Sequence, residues 1–551
     1  MNNGLVKYRI FQLTLVAAIL ATYVISPWRN FDPISLPKMT IVSALSFSGF
    51  FLLARNFALI REIHYAVKAI SVIFLLGLTL PLLFSESPIH QQIWGVFGRN
   101  TGYLTYVSLL CLMILSCAIS QLTLYHRIPR TFILSSIPMT IYCIVQILKL
   151  DPVGWSEFNT FGTLGNINFL SAYLGLVSVA AYSLLLDSKE GQLRIICLLL
   201  LLIDIPIVLS TGSIQGFMIF LAGSGITTLY FLLHSPKLKI LFWPTMFLGV
   251  LGVVLSVLGL GNAGPLARFI FQPSVLFRGD YMHAGLELSI SHPLFGVGLD
   301  SYGDWYRQSR GEISTLRTGP DRISNTAHNI FLDISSTAGL LAGLSYVSLV
   351  LLTGFWAALY LKKSKRYSGR DVALVSCWFA YQIQALVSIN QIGVGVWGWI
   401  FTGAILGLVR IGEKERKDGL SAAQARGKML NASSSLSALI GLGAGLLVAF
   451  APLRADIEFR SAQVNGEIEQ MRDAALSTGG TAWHLTLTLD YAIRSGNESF
   501  AYETAEILVE RYPRDFFGWR VLETSPISTQ DRVAEARLKS RELDPFNPDL
   551  G

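Results

Sequence analysis

Apolar runs of membrane-crossing length, separated by short polar turns, fill most of the chain. Runs of about 17–25 apolar residues can span a bilayer as helices. They recur here at roughly 9–25, 38–54, 68–84, 102–120, 131–148, 168–186, 193–209, 214–233, 240–260, 328–360, 371–389, 395–411 and 435–451. The pattern predicts an all-α, polytopic membrane protein with about thirteen spans. Two long polar stretches stand apart. One is 261–327. The other begins near Pro452, is rich in Ala, Glu and Arg, and reads as amphipathic helices, for instance 500–511 and 530–543. Tyr512-Pro513 and Asp544-Pro545 punctuate that segment with 32 positions between the prolines, close to the period of about 34 in tetratricopeptide hairpins. The Trp-Leu-Gly-Tyr signature of such repeats is missing, and a small helical bundle fits the same pattern. The expected organisation is a transmembrane bundle over 1–260, a large loop over 261–327, a second transmembrane bundle over 328–451 and a helical domain over 452–551.

Composition agrees. The chain is 52% hydrophobic and 14% charged, against about 25% charged in soluble domains, and its mean hydropathy is +0.50. A net charge of +7 would suit nucleic acid, but its placement excludes that partner. Counting Lys and Arg between the runs puts twenty-two on one side, among them Lys7, Arg9, Arg61, Arg130, Lys362 to Lys365, Lys414, Arg416, Lys417, Arg426 and Lys428. The short loops of the other side hold Arg29, Lys38, Arg99 and Lys149. By the positive-inside rule the N-terminus is expected to be cytoplasmic, and both 261–327 and the C-terminal domain are expected to lie outside. The first run has no small-x-small cleavage site around Ile25-Ser26-Pro27-Trp28, so it is expected to stay as an uncleaved span. Cys111, Cys117, Cys143, Cys197 and Cys377 all fall in apolar runs and read as small core residues.

The 261–327 stretch carries Arg268, Arg278, Arg307, Arg310, Arg317 and Arg322, and no lysine. The guanidinium fork binds phosphate and carboxylate in bidentate fashion, so an arginine-only loop beside a membrane points to a lipid-linked diphosphate. Read as a helix, 277–286 puts Arg278, Met282 and Leu286 on one stripe with Tyr281 and Gly285 beside it. Arg278 then either meets a ligand or snorkels to headgroups. Pro293, Gly296 and Gly298 impose tight turns, and the glycine pair lacks the strand and helix of a nucleotide fingerprint. His328 opens a span next to Asn329, a candidate substrate contact. Its ordinary pKa near 6.5 suits proton transfer; a structural hydrogen-bonding role is the other reading. Arg99 is the one base in its loop. Asn166, Asn168 and Gln215 sit in polar turns at span ends, as substrate contacts or as helix caps. Asp204 lies inside a span, near its outer end, where an acid is either a functional group or shallow enough to reach water. Asp300 and Asp304 are spaced i, i+4 with nothing nearby to complete a coordination sphere. No metal site and no cofactor are expected, and arginines would stabilise a departing phosphate.

Three motifs together resemble the O-antigen ligase and polymerase superfamily: Gly-Asn-x-Asn before a span (165–168), Pro-Leu-Phe-Gly-Val-Gly (293–298), and Ala-His-Asn (327–329) followed by Gly339. The similarity covers roughly 1–450 and is most specific over 278–343. It implies a multispan, GT-C-like membrane glycosyltransferase that moves glycan from an undecaprenyl-diphosphate carrier to an acceptor hydroxyl (on a lipid, polymer or protein), without metal and with inversion. It also implies that Arg278 holds the diphosphate and that His328 is the essential histidine. Two departures stand out. Members often carry an arginine in the turn that here reads Ser213-Ile214-Gln215, so Arg99, or one of Arg307, Arg310 and Arg322, is expected to take its place. Ala342 occupies a position commonly held by another small or aromatic residue.

A polymerase joining repeat units would share all these features and differ in its acceptor. A transporter would favour charges along the spans, where Asp204 stands alone. The C-terminal helices could recruit a protein partner or the acceptor in addition to enzyme activity.

Overall fold

The computed structural model describes residues 3–155, 159–364, 366–411 and 430–550, and among them no strand occurs. Each of the thirteen apolar runs forms a helix. The first nine are α1 (Asn3–Tyr23), α2 (Ser35–Arg55), α3 (Tyr65–Phe84), α4 (Tyr103–Ala118), α5 (Arg127–Ile147), α6 (Ile167–Leu185), α7 (Gly191–Ser210), α8 (Ile214–His234) and α9 (Phe242–Leu260). The polar stretch adds α10 (Pro273–Ser291) and α11 (Tyr302–Ser309). The chain then returns through α12 (Ile330–Lys363), α13 (Gly369–Ala385), α14 (Ile392–Leu408) and α15 (Ala432–Asn465). The C-terminal helices are α16 (Ile468–Leu476), α17 (Ala482–Arg494), α18 (Glu498–Arg511), α19 (Phe516–Thr524) and α20 (Gln530–Leu543).

Ten of these helices are long and apolar enough to cross a membrane; α4 and α14 are apolar but shorter. The third exception, α13, buries Gln382, Gln384 and Asp371. Burial explains all three. Every residue of α14 is buried, so protein replaces lipid around it and its length need not match the bilayer. At the opposite extreme α9 presents Trp243, Phe247, Val253 and Val257 outwards, as a lipid-facing helix should. The five cysteines are free and buried.

Polar contacts gather at two ends of the bundle. At one, Lys7 meets Glu62 at 2.9 Å, His126 meets Asp371 at 2.8 Å and Arg130 meets Glu190 at 3.0 Å. The other end collects the loops before α2 and α4, the 261–329 stretch and the C-terminal helices. Lys365, Lys414, Arg416, Lys417, Arg426 and Lys428 lie outside the described residues.

The expected boundary at 452 falls inside α15, which passes Pro452 and continues to Asn465. The C-terminal helices therefore grow directly out of the last span, and each packs on the next in chain order. They are also clamped to the loops. Asp456 accepts from the backbone N–H of Phe31 (2.7 Å) and Asp32 (3.0 Å) and from Asn30 Nδ2 (3.0 Å). Asp544, fully buried, takes Arg310 Nη2 on both oxygens at 2.8 Å and Arg307 Nη1 at 2.9 Å.

Candidate active site

The site is built on a helix that breaks. Apolar residues run on through α12, but Gly339 has φ 80° and ψ 172°, so Ile330–Lys363 is two helices with a kink between them. A break leaves carbonyls and amides without intrahelical partners. The turn after α10 takes them up: Val297 N–H donates to Ser336 O (2.9 Å), Gly298 N–H to Thr337 O (3.0 Å), and Leu340 N–H to Pro293 O (2.8 Å). The approach is so close that a Cβ on Gly339 would stand 2.4 Å from Leu294 O, and one on Gly296 2.4 Å from the Thr337 carbonyl carbon. The Pro-Leu-Phe-Gly-Val-Gly turn and the glycine after Ala-His-Asn are thus two halves of one joint.

The short first half of α12 aims its N-terminus at His328. Asn329 caps it, its Oδ1 accepting from Phe331 and Leu332 N–H while its Nδ2 donates to Leu386 O. Asp333 Oδ1 accepts from Ala327 N–H at 2.8 Å, and the His328 N–H donates to Thr326 Oγ1 at 2.9 Å. His328 is held at φ 52°, a conformation uncommon outside glycine. Asn100 (φ 50°) and Asp300 (φ 56°), which position Arg99, share it. Of the six such non-glycine residues among the described ones, three converge here; backbone strain of this kind concentrates at functional sites.

α10 crosses this loop. Its inward stripe is Tyr281, Ala284, Gly285 and Leu288, whereas Leu286, expected on the Arg278 stripe, is exposed. The Tyr281 ring lies 5.2 Å from that of His328, and Tyr302 Oη fixes the helix by donating to Tyr281 O at 2.7 Å. Arg278 is half-buried and takes no hydrogen bond or ion pair among the described residues; burial lowers its pKa. His328 is pushed down to about 4, first by burial and then by the charges of Arg278 and Arg99. Its imidazole is therefore neutral at pH 7 and free to accept a proton.

Arg99 is held by two buried carboxylates, Asp300 Oδ1 at 3.5 Å and Asp333 Oδ2 at 3.7 Å. It also donates to Asn325 O and Thr101 Oγ1. Asp300 in turn accepts from Val96 N–H and Thr101 N–H. Arg322 stacks over Phe277 at 4.4 Å, and its charge reaches the Tyr281 hydroxyl. Arg278, Arg99 and Arg322 thus all act electrostatically on the His328–Tyr281 pair. Arg307 and Arg310 are placed elsewhere: both are committed to Asp544, and Arg310 is only 1% exposed.

The remaining sequence candidates are ordered by local structure. Asn166 caps α6 by accepting from Asn168 N–H, and Asn168 Oδ1 accepts from Ser213 Oγ at 2.8 Å, tying α6 to α8. Arg99 and Asn166 border a cavity of about 320 Å³ together with Asn390 and Gln391. Gln215 finds no protein partner among the described residues for its buried amide atoms. Asp204 does not reach water. It is fully buried and accepts from Thr140 Oγ1 at 2.7 Å.

Residues 196–347 match the family model described as O-antigen ligase. Over this stretch the chain is similar to the O-antigen ligase family. The matched stretch opens within α7 and ends just past the break in α12, so it holds Gln215, Arg278, the 293–298 turn and His328. Arg99, Asn166 and Asn168 precede it. No curated protein matches the chain. With its ten candidate spans, this ligase-like protein is a multi-pass bacterial inner-membrane enzyme that transfers glycan between membrane-associated donor and acceptor substrates. Sequence reading missed Asp300, Asp333 and Tyr281 as parts of the site. The one available signal was that two of them are acids within an arginine-rich region, separated from Arg99 by about two hundred positions.

Proposed function

We propose that this protein transfers a glycan from an undecaprenyl-diphosphate carrier to an acceptor hydroxyl on the extracytoplasmic face. The observation that carries the reading is the pairing of Arg278, an unpartnered half-buried guanidinium, with His328, a neighbouring imidazole kept neutral by burial and positive charge. An uncommitted guanidinium in a desolvated place is poised for an oxyanion. The neutral imidazole is poised for the acceptor's proton.

In this mechanism the acceptor O–H gives its proton to His328 as its oxygen bonds to the anomeric carbon of the carrier-linked sugar. The bond from that carbon to the diphosphate oxygen breaks, and its electron pair leaves on the diphosphate. Arg278 takes the developing negative charge, an electrostatic contribution that is often the largest in such sites. A single displacement of this kind inverts the sugar centre. Arg99, fixed by Asp300 and Asp333, and Arg322 surround the same point and fill the place of the family arginine missing from 213–215. The N-terminus of the first half of α12 adds a partial positive charge. No step calls on a metal. The lysine and arginine distribution favours the extracytoplasmic side for this end of the molecule.

The test is transfer by purified variants reconstituted in vesicles with carrier-linked glycan and acceptor. His328→Ala is expected to lose about 10²–10⁴-fold in rate, the usual contribution of a general base, and Arg278→Ala to lose transfer while the protein still accumulates in the membrane. Near-normal transfer by either variant refutes the reading.

A further inference from the structure

A cleft of about 680 Å³ separates the C-terminal helices from the loops that dock them. Its size is within the roughly 300–1,000 Å³ of small-molecule sites. Neither Arg278 nor His328 lines it, while Asn100 and Asn325 beside Arg99 do, so the cleft adjoins the candidate active site without containing its proposed catalytic pair. Its walls come from three parts of the chain far apart in sequence: the segment between α3 and α4, the polar stretch around α11, and helices α17 to α20.

Aromatic faces are its first character. Trp483 is 47% exposed and Phe517 37% exposed. The Trp483 ring stacks on Phe97 at 6.0 Å and 16°. Phe97 in turn packs on Phe31 at 5.0 Å, so the platform is supported from behind. Its second character is hydrogen-bonding capacity without free positive charge. Asp304, Asp321, Asp515 and Asn325 line it, and all offer acceptors. The arginines that reach it are already engaged. Arg307 is held by Asp544 and Arg520 by Glu523 at 2.5 Å. Arg514 donates to Asp304 O and Gln308 Oε1, with its guanidinium 3.4 Å from the Trp305 ring centre.

Carboxylates without an uncommitted cation repel phosphate. Exposed ring faces bury the apolar C–H faces of a polyol, and carboxylates and amides accept from its hydroxyls. We infer that the cleft between Trp483, Phe517, Asp304 and Asp515 binds a neutral oligosaccharide segment of a glycan handled by this enzyme. The division of labour is then chemical: arginines hold the diphosphate at one site, and rings and acids hold sugar at the other. The inference rests on the glycan-transfer reading for the origin of the saccharide. Binding itself is measurable without transfer.

The experiment uses the full chain in lipid nanodiscs and titrates neutral oligosaccharides of three to six sugars, hydrolysed from the cell's own surface glycan, by calorimetry. Wild type and His328→Ala are expected to bind alike, which separates this claim from the transfer mechanism. Trp483→Ala and Phe517→Ala, on different helices, are each expected to weaken binding tenfold or more with unchanged thermal midpoints, and Trp483→Phe to restore most of it. Inorganic pyrophosphate is expected not to compete. Transfer kinetics then identify the source: Trp483→Ala raises KM for the donor if the donor glycan lies in the cleft, and for the acceptor if the acceptor does. Absence of saturable binding to wild type, full binding by both alanine variants, or displacement by pyrophosphate would each overturn the inference.

Discussion

At the residue scale the account turns on a histidine whose surroundings disfavour its protonated form. Burial, Arg278 and Arg99 push His328 down to about 4, from an ordinary value near 6.5. A base that must be neutral loses activity as pH falls through its pKa. The kcat/KM profile for transfer, which reports the free enzyme, is therefore expected to hold from pH 7 down to about 5 and to fall near 4. The limb in kcat should lie higher, because a bound diphosphate offsets the two guanidinium charges. A kcat/KM limb at 6.5 would show that the imidazole is not in this environment. His328 and Arg278 were legible as candidates from residue type and placement. Their electrostatic relation was not, because it depends on α10 crossing a loop some fifty positions later. Asn329 shows the converse: it looked like a ligand group and serves as a helix cap. Arg307 and Arg310 were indistinguishable from Arg278 by type alone. Their partner, Asp544, is more than two hundred positions away.

At the element scale the central feature is the break in α12. A continuous apolar run predicts one helix, and hydrophobic periodicity carries no sign of the kink, since both halves need apolar surface. Gly339 at φ 80° is the only local trace. Because a non-glycine residue there is strained and its Cβ would meet Leu294 O at 2.4 Å, Gly339→Ala is expected to cost stability on the order of 1–3 kcal/mol. It should also lower transfer more than folding, by shifting the N-terminus that carries His328. Thermal unfolding of the detergent-solubilised variant beside vesicle transfer checks this. Unchanged midpoint and transfer would mean that the joint does not position the site.

At the scale of the whole molecule, the thirteen apolar runs and the polar C-terminal segment were readable because bilayer length and composition leave few alternatives. The shortness of α4 and α14 was hidden by the near-complete enclosure of the first and the complete enclosure of the second in protein, and the continuity of α15 past Pro452 by the change in composition there. The docking of the C-terminal helices was also illegible, since it rests on long-range pairs. The strongest is buried Asp544 with Arg310 and Arg307. Removing one partner of a buried ion pair leaves an uncompensated charge and costs about 3–5 kcal/mol. Asp544→Ala is thus expected to release the C-terminal helices, read as new protease cleavage after 465 with the spans intact. Wild-type protease resistance in this variant would show that the docking does not depend on the pair.

The most direct measurement of the central claim is glycan transfer by reconstituted His328→Ala and Arg278→Ala, compared with wild type in the same vesicles and at equal protein. The account predicts that each variant inserts normally and that transfer falls by two orders of magnitude or more, about the size of a general-base contribution. Transfer within a few-fold of wild type in either variant would contradict it.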